Sequence, residues 1–278
     1  MTMTRTICST LLAAVAFCGT VFAADVKGGG SRLASYTNIP LWEDGKVPMA
    51  QGDGPLDKPF LTVFAPPENK RNGTAMIVAP GGSNIMLMYG AEGVDIAERL
   101  NDWGITAFVL TYRLAPKYNA AARTLDGRRA LQIVRSRAAE WKLDPKRIGI
   151  SGYSAGSEIA RVMPSTTADA SSTDPIDRED PKPNYLVLVY SVGRPAQGEQ
   201  LKDFPPTFLL SAAADRGPSM GNAQLFLDML RAGANPELHI YQKGRHGFGS
   251  AFGSAEFGDW MSRLQGWLKV GGFLPEAK

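Results

Sequence analysis

Apolar runs of strand length recur along the chain, at Phe60–Ala65, Ala75–Ala79, Ile105–Tyr112, Arg147–Ser151, Tyr185–Ser191, Phe208–Ala213 and Glu237–Gln242. Several are continuous rather than alternating, the pattern of strands covered on both faces of a sheet. Stripes at helical spacing lie between them. Val94, Ala97, Leu100 and Trp103 form one, stopping before Gly104, and Leu131, Val134, Ala138 and Trp141 form a second. Ala223, Phe226, Leu227 and Leu230 form a third, ended by Gly233; Phe257, Trp260, Met261, Leu264 and Trp267 form the last. Each stripe predicts a helix face turned to the core rather than a ligand site. Alternation of strand and helix predicts an α/β fold, with a mostly parallel central sheet and helices on both faces. One segment departs from the pattern. Ser165–Asn184 is polar, broken by Pro175, Pro181 and Pro183, and rich in Asp and Glu. It is expected to be a surface loop whose acids form a solvated face.

The chain begins differently. Residues 1–23 have the form of a secretory leader: Arg5, a short apolar stretch from Leu11 to Phe17, then Val21-Phe22-Ala23 with cleavage after Ala23. The apolar stretch is too short to span a bilayer. The expected division is a signal peptide at 1–23, a linker and extension at 24–58 opening on Gly28-Gly29-Gly30-Ser31, and one folded domain at 59–278. Both cysteines, Cys8 and Cys18, fall in the leader, so the remainder has no disulfide, thiol nucleophile or thiolate metal site. Lipidation of Cys18 is the alternative to cleavage, although Phe17 before it is bulkier than such sites usually carry. The protein is therefore expected to be secreted or periplasmic, with no membrane span once the leader is removed.

Composition narrows the partners. The 278 residues are 44% hydrophobic and 21% charged, with a net charge of +3. That balance excludes disorder and collagen-like repeats, and gives no reason to expect nucleic acid or an anionic membrane.

The chemistry gathers at four turns. Gly152-Tyr153-Ser154-Ala155-Gly156 follows the strand Arg147–Ser151 and precedes a helical stretch with Ile159, Ala160 and Val162 that ends near Pro164. A sharp strand-to-helix turn of this form lifts a serine hydroxyl out of the sheet as a nucleophile. Such a serine needs a base. The sequence has two histidines. His239 lies inside a predicted strand and is expected to be structural. His246 lies after that strand among Gly244, Gly247 and Gly249, where α/β active sites form. The third member should follow another strand, and Asp215 does so after Phe208–Ala214. Its role would be to orient the imidazole. Asp203 precedes that strand, at the wrong end. An oxyanion needs amide donors, expected from Ala155 and from Gly81 and Gly82 in the turn Pro80-Gly81-Gly82-Ser83.

Several segments carry a resemblance. These are Ala79-Pro80-Gly81-Gly82, Ala107–Leu114, Arg135–Gly149, the turn around Ser154, Pro205–Leu209 and Leu238–Phe248. Over about Leu41 to Leu274 the chain resembles the α/β-hydrolase superfamily. More narrowly it is similar to acetyl-xylan-esterase-like carbohydrate esterases related to the hormone-sensitive-lipase type. The resemblance implies an α/β-hydrolase catalytic domain over 59–278 and cofactor-free hydrolysis of short acyl esters, often acetyl groups on plant polysaccharide. The partner it implies is a small-molecule or polysaccharide ester. Some positions depart from the family. Pro80 replaces a histidine, Ser83 a third glycine, Ala91 the histidine of a His-Glu-Gly motif, and Ser157-Glu158 a Gly-His pair. Gly217-Pro218-Ser219 replaces a valine-proline turn after the acid. Tyr112, Arg113, Asp126 and Arg129 also match the family and are read as structural.

The stretch from Ser191 to Phe208 is too short for a large cap domain, which favours an open cleft and a small acyl group. Esters of larger acyl groups, such as feruloyl or polyester bonds, peptides, and a silent binding module on the same fold remain alternatives. Two histidines and no cysteine outside the leader cannot build a typical zinc site. Oligomeric state is not legible.

Overall fold

The computed structural model describes residues 36–192, 201–251, 254, 257 and 259–275. The leader, Cys8, Cys18 and the Gly28–Ser31 linker lie outside them. Eight strands make one sheet: β1 (Thr37–Pro40), β2 (Phe60–Phe64), β3 (Ala75–Ala79), β4 (Thr106–Thr111), β5 (Ile148–Tyr153), β6 (Leu186–Val189), β7 (Thr207–Ala212) and β8 (Pro236–Tyr241). Their order is β1-β2-β4-β3-β5-β6-β7-β8. β1 and β2 run antiparallel to their neighbours and every other pair is parallel. Seven of the strands match the apolar runs within a residue or two. β1 lies in the segment read as linker and extension, where Thr37–Pro40 pairs with Phe60–Val63. A four-residue strand with one buried side chain, Ile39, carries too little periodicity to be recognised.

Five described helices cover the sheet: α1 (Asp95–Asp102), α2 (Ala120–Ser136), α3 (Gly156–Val162), α4 (Arg216–Arg231) and α5 (Trp260–Val270). The sheet sorts its side chains by parity. Ile77, Ile150, Leu188 and Leu209 point into one apolar layer with Leu131 and Val134 of α2, Ile159 of α3 and Leu225 of α4. Met76, Val78, Val187 and Leu210 point into the other, with Ile96 and Leu100 of α1 and Trp260 and Leu264 of α5. Burial on both faces is why these strands read as unbroken apolar runs. None of the described helices is long and apolar enough to cross a membrane. β6 ends at Val189 and β7 starts at Thr207, which leaves no room for a cap domain between them.

Two expectations need correction. α4 buries Ser219, Asn222, Leu225 and Met229, whereas Leu227 and Leu230 are 45% and 47% exposed. The inward face includes polar residues because Asn222 donates to the Leu210 carbonyl at 3.1 Å. A reading that follows apolar residues alone therefore takes the wrong phase. The acids of Ser165–Asn184 are also not simply solvated. Buried Arg129 bonds Asp174 at 2.6 Å and Asp177 at 2.8 Å, and Gln132 donates to the carbonyls of Asp177 and Glu179. These bonds fasten the segment to α2. Arg113 and Asp126 form a fully buried pair, Nη2 to Oδ1 at 2.7 Å, consistent with the structural role expected of them.

A wide turn, Gly90–Val94, leads into α1 with π-type spacing: Val94 N–H bonds the Tyr89 carbonyl at 2.8 Å. It sets Glu92 beneath the turn that follows β3.

Candidate active site

The strand order changes direction at β3, whose neighbours are β4 and β5. A crevice opens at the carboxyl ends of such strands, where the chain leaves in opposite directions. The turn after β3 carries Gly81 and Gly82, and the turn after β5 carries Ser154. Asp215 follows β7, and His246 follows β8.

The Ser154 turn is forced by close packing. A Cβ on Gly152 would lie 2.5 Å from the Ser157 Cα, and one on Gly156 would lie 2.1 Å from the Ala79 carbonyl oxygen. Glycine at both positions lets α3 start directly over the ends of β3 and β5. Ser154 itself has φ +49°, in the left-handed region, which costs a non-glycine residue about 1–2 kcal/mol. Its N–H bonds the Val189 carbonyl at 3.1 Å, and Ser157 Oγ donates to its carbonyl. The strained turn is thus held from both sides.

Ser154 Oγ lies 2.6 Å from His246 Nε2, and His246 Nδ1 lies 2.6 Å from Asp215 Oδ2. Asp215 only accepts when ionised, so Nδ1 carries the hydrogen and Nε2 is left to take the serine proton. The His246 side chain is 41% exposed and the Asp215 side chain 13%. The imidazole is therefore reachable while the acid is shielded. Against the imidazole lies the Tyr190 ring, centroids 5.0 Å apart.

The oxyanion turn differs from expectation in one respect. Gly81 N–H is donated to Glu92 Oε2 at 2.7 Å, so it is committed to a carboxylate instead of facing the reaction centre. Among the described residues, no hydrogen bond takes up the N–H of Gly82 or of Ala155. Gly82 sits at φ +127°, a conformation closed to other residues. Tyr112 hydroxyl donates to the Pro80 carbonyl at 2.8 Å. His239 is remote from these groups by its contacts: its Nε2 pairs with Glu237 at 2.7 Å and its ring lies against Phe208.

Sequence reasoning missed the role of Glu92. It is 1% exposed, and Tyr190 hydroxyl donates to its Oε1 at 2.6 Å. Burial, with the Glu92 charge beside it, pushes the Tyr190 hydroxyl well above its usual range, so it stays protonated and donates. The available signal was Glu92-Gly93, which keeps the last two residues of the family's His-Glu-Gly motif although Ala91 replaces its histidine.

Residues 81–197 match the α/β-hydrolase fold family. The chain is 29% identical to an acetylxylan esterase from Xylanibacter ruminicola, over 86% of this chain and 51% of that protein. It is 27% identical to an endo-1,4-beta-xylanase B from Butyrivibrio fibrisolvens, over 62% of this chain and 32% of that protein. The chain thus spans about half the length, or less, of these curated relatives. A solved structure, the acetyl ester-xyloside bifunctional hydrolase from Caldicellulosiruptor lactoaceticus, superposes with a TM-score of 0.78 at 30% identity. That match covers 86% of this chain and 98% of the other. With this order of strands, and at 30% identity to a hydrolase overlapped almost end to end, the chain belongs to the α/β-hydrolase superfamily.

Proposed function

We propose that the protein is a serine esterase that removes short acyl groups, acetyl above all, from carbohydrate such as acetylated xylan. The observation that carries the chemistry is the unbroken relay from Ser154 through His246 to Asp215, with bonds of 2.6 Å and 2.6 Å. His246 Nε2 takes the Ser154 proton as Oγ attacks the ester carbonyl. Asp215 holds the ring and stabilises the imidazolium that forms. The amides of Ala155 and Gly82 hold the tetrahedral oxyanion. His246 then returns the proton to the departing sugar oxygen, which leaves as the free hydroxyl, and an acyl-serine remains. Water, deprotonated by the same imidazole, releases the acid and restores Ser154.

The acyl and sugar preference draws its support from the likeness to the Xylanibacter esterase and the Caldicellulosiruptor hydrolase. The short β6–β7 connection adds to it, since an open site admits a polymeric alcohol. Export is supported by the leader pattern of residues 1–23, and amino-terminal sequencing of the mature protein should begin at Ala24.

The test is acetate release from acetylated xylan by the purified protein, with Ser154→Ala in parallel. Release by the wild type should fall by about 10⁴-fold or more in the variant. A variant that releases acetate at the wild-type rate would remove Ser154 as nucleophile. An inert wild type would remove acetylated xylan as substrate.

A further inference from the structure

Glu92 is buried within the proposed site, yet the relay does not use it. Its two oxygens take two donors from opposite sides. Oε2 accepts the Gly81 N–H at 2.7 Å, and Oε1 accepts the Tyr190 hydroxyl at 2.6 Å. Tyr190 oxygen in turn accepts the Gly249 N–H at 3.1 Å, three residues beyond His246. The direction of every proton is fixed, because Gly249 and Gly81 can only donate and a carboxylate can only accept.

Both ends of this chain of bonds are catalytically placed. The Pro80 carbonyl and the Gly81 N–H belong to one peptide unit. Tyr112 hydroxyl holds the carbonyl and Glu92 holds the N–H, so that plane is pinned at both edges. It opens the turn that presents the Gly82 amide. There is no slack beneath it: a Cβ on Gly81 would lie 2.7 Å from the Ser154 Cβ. At the other end, the His246 loop rests on the same wide turn. A Cβ on Gly249 would meet the Ala91 carbonyl oxygen at 2.6 Å. Tyr190 also packs its ring against the imidazole.

We infer that Glu92 is a positioning residue that fixes the oxyanion turn and the His246 loop relative to Ser154. The inference rests on the esterase reading. It assigns the oxyanion donors to Gly82 and Ala155 and makes Gly81 a tether. A glutamine at position 92 keeps an acceptor for the Gly81 N–H but meets Tyr190 with an NH2 group that can only donate, so the Tyr190 hydroxyl hydrogen loses its acceptor and the bond to the His246 loop is reorganised. Displacement of a reacting group by about 1 Å costs about 10²-fold in rate.

The experiment compares wild type with Glu92→Gln, Glu92→Asp, Tyr190→Phe and Tyr112→Phe. It reads kcat and KM on 4-nitrophenyl acetate, the rate of Ser154 labelling by a fluorophosphonate, and thermal unfolding. Glu92→Gln should lower kcat and the labelling rate together, about 10- to 100-fold, with KM within about twofold. Glu92→Asp keeps both acceptors and should recover part of the loss. Tyr112→Phe frees the same peptide plane and should lower kcat in the same way. If Glu92→Gln fails to fold, Tyr190→Phe carries the test, since it keeps the Gly81 bond and cuts only the tie to the His246 loop. Folded variants with lower unfolding temperatures but kcat and labelling within twofold of wild type would overturn the inference and leave Glu92 purely structural. A rise in KM at constant kcat would overturn it too. A wild type that neither labels nor cleaves would instead refute the esterase reading itself.

Discussion

Strain at Ser154 makes a prediction that separates catalysis from stability. With φ at +49°, the nucleophile occupies a region that costs a side-chain-bearing residue about 1–2 kcal/mol. Alanine in its place keeps the strain and loses the hydroxyl. Glycine also loses the hydroxyl but relieves the strain, at about 0.5–1 kcal/mol of extra chain entropy in the unfolded state. The bond to His246 is absent in both variants and cancels. Ser154→Gly should therefore be more stable than Ser154→Ala by about 0–1.5 kcal/mol, centred near 0.75, which is about 1.5–3 °C in Tm for a domain of this size. Both should be inactive. Calorimetric unfolding of the two proteins, side by side in one buffer, reads the difference. The control is Ala223→Gly inside α4, where the backbone is helical and the same replacement should cost about 1 kcal/mol. A Ser154→Gly protein that melts below Ser154→Ala would refute the idea that the turn stores backbone strain.

Three further outcomes follow from described contacts. In Gly81→Ala the new Cβ would sit 2.6 Å from the Tyr153 carbonyl oxygen and 2.7 Å from Glu92 Oε2, so kcat on an acetyl ester should drop about 10²-fold; unchanged kinetics would mean the turn has room that these distances deny. On α4, Leu225→Ala should cost about 2–5 kcal/mol in denaturant unfolding and Leu227→Ala under about 0.5, the reverse of what the apolar stripe suggests; equal costs would undo the assignment of the inward face. Lys117 and Tyr118, bonded to the buried Asp57 carboxylate, hold its pKa at about 2, below its ordinary 3.8. A lowered folded-state pKa stabilises above the unfolded value, and that stability is lost as pH falls from about 4 through 2. Unfolding followed across that range should be flatter in Asp57→Asn, and parallel curves would count against the bond.

What the sequence revealed and concealed divides by the kind of signal. Strands covered on both faces leave unbroken apolar runs, so β3, β5 and β7 are legible almost to the residue. Close packing leaves glycines, so the Ser154 turn is legible as well. Side chains that bury polar atoms against backbone leave neither mark. Asn222 takes an inward position of α4 and shifts the helix phase away from the apolar stripe. Asp174 and Asp177 look solvated until Arg129, far along the chain, is folded over them. The direction of a single amide, Gly81 N–H, depends on a carboxylate eleven residues on that only the fold brings beneath it. Residue type predicts which groups take part in the site. The pairing of donors with acceptors is a property of three dimensions.

The wide turn at Gly90–Val94 has an evolutionary side. Two of its bonds reach back five residues, from Val94 to Tyr89 and from Asp95 to Gly90, so it holds one residue more than an α-helical turn would. Removing Gly93 or Val94 lets the turn relax into an ordinary continuation of α1. Everything before the deletion then rotates by about 100° and slides about 1.5 Å along the helix axis. Glu92 would leave Gly81 and Tyr190 together. Substitution at Ile85, Met86 or Met88, all exposed, disturbs none of this. The exposed positions Ile85, Met86 and Met88 are thus free to drift in chemistry while Gly81, Gly82, Glu92 and the length of the stretch are locked, and descendants of this chain should show residue changes at those three positions and almost no insertions or deletions.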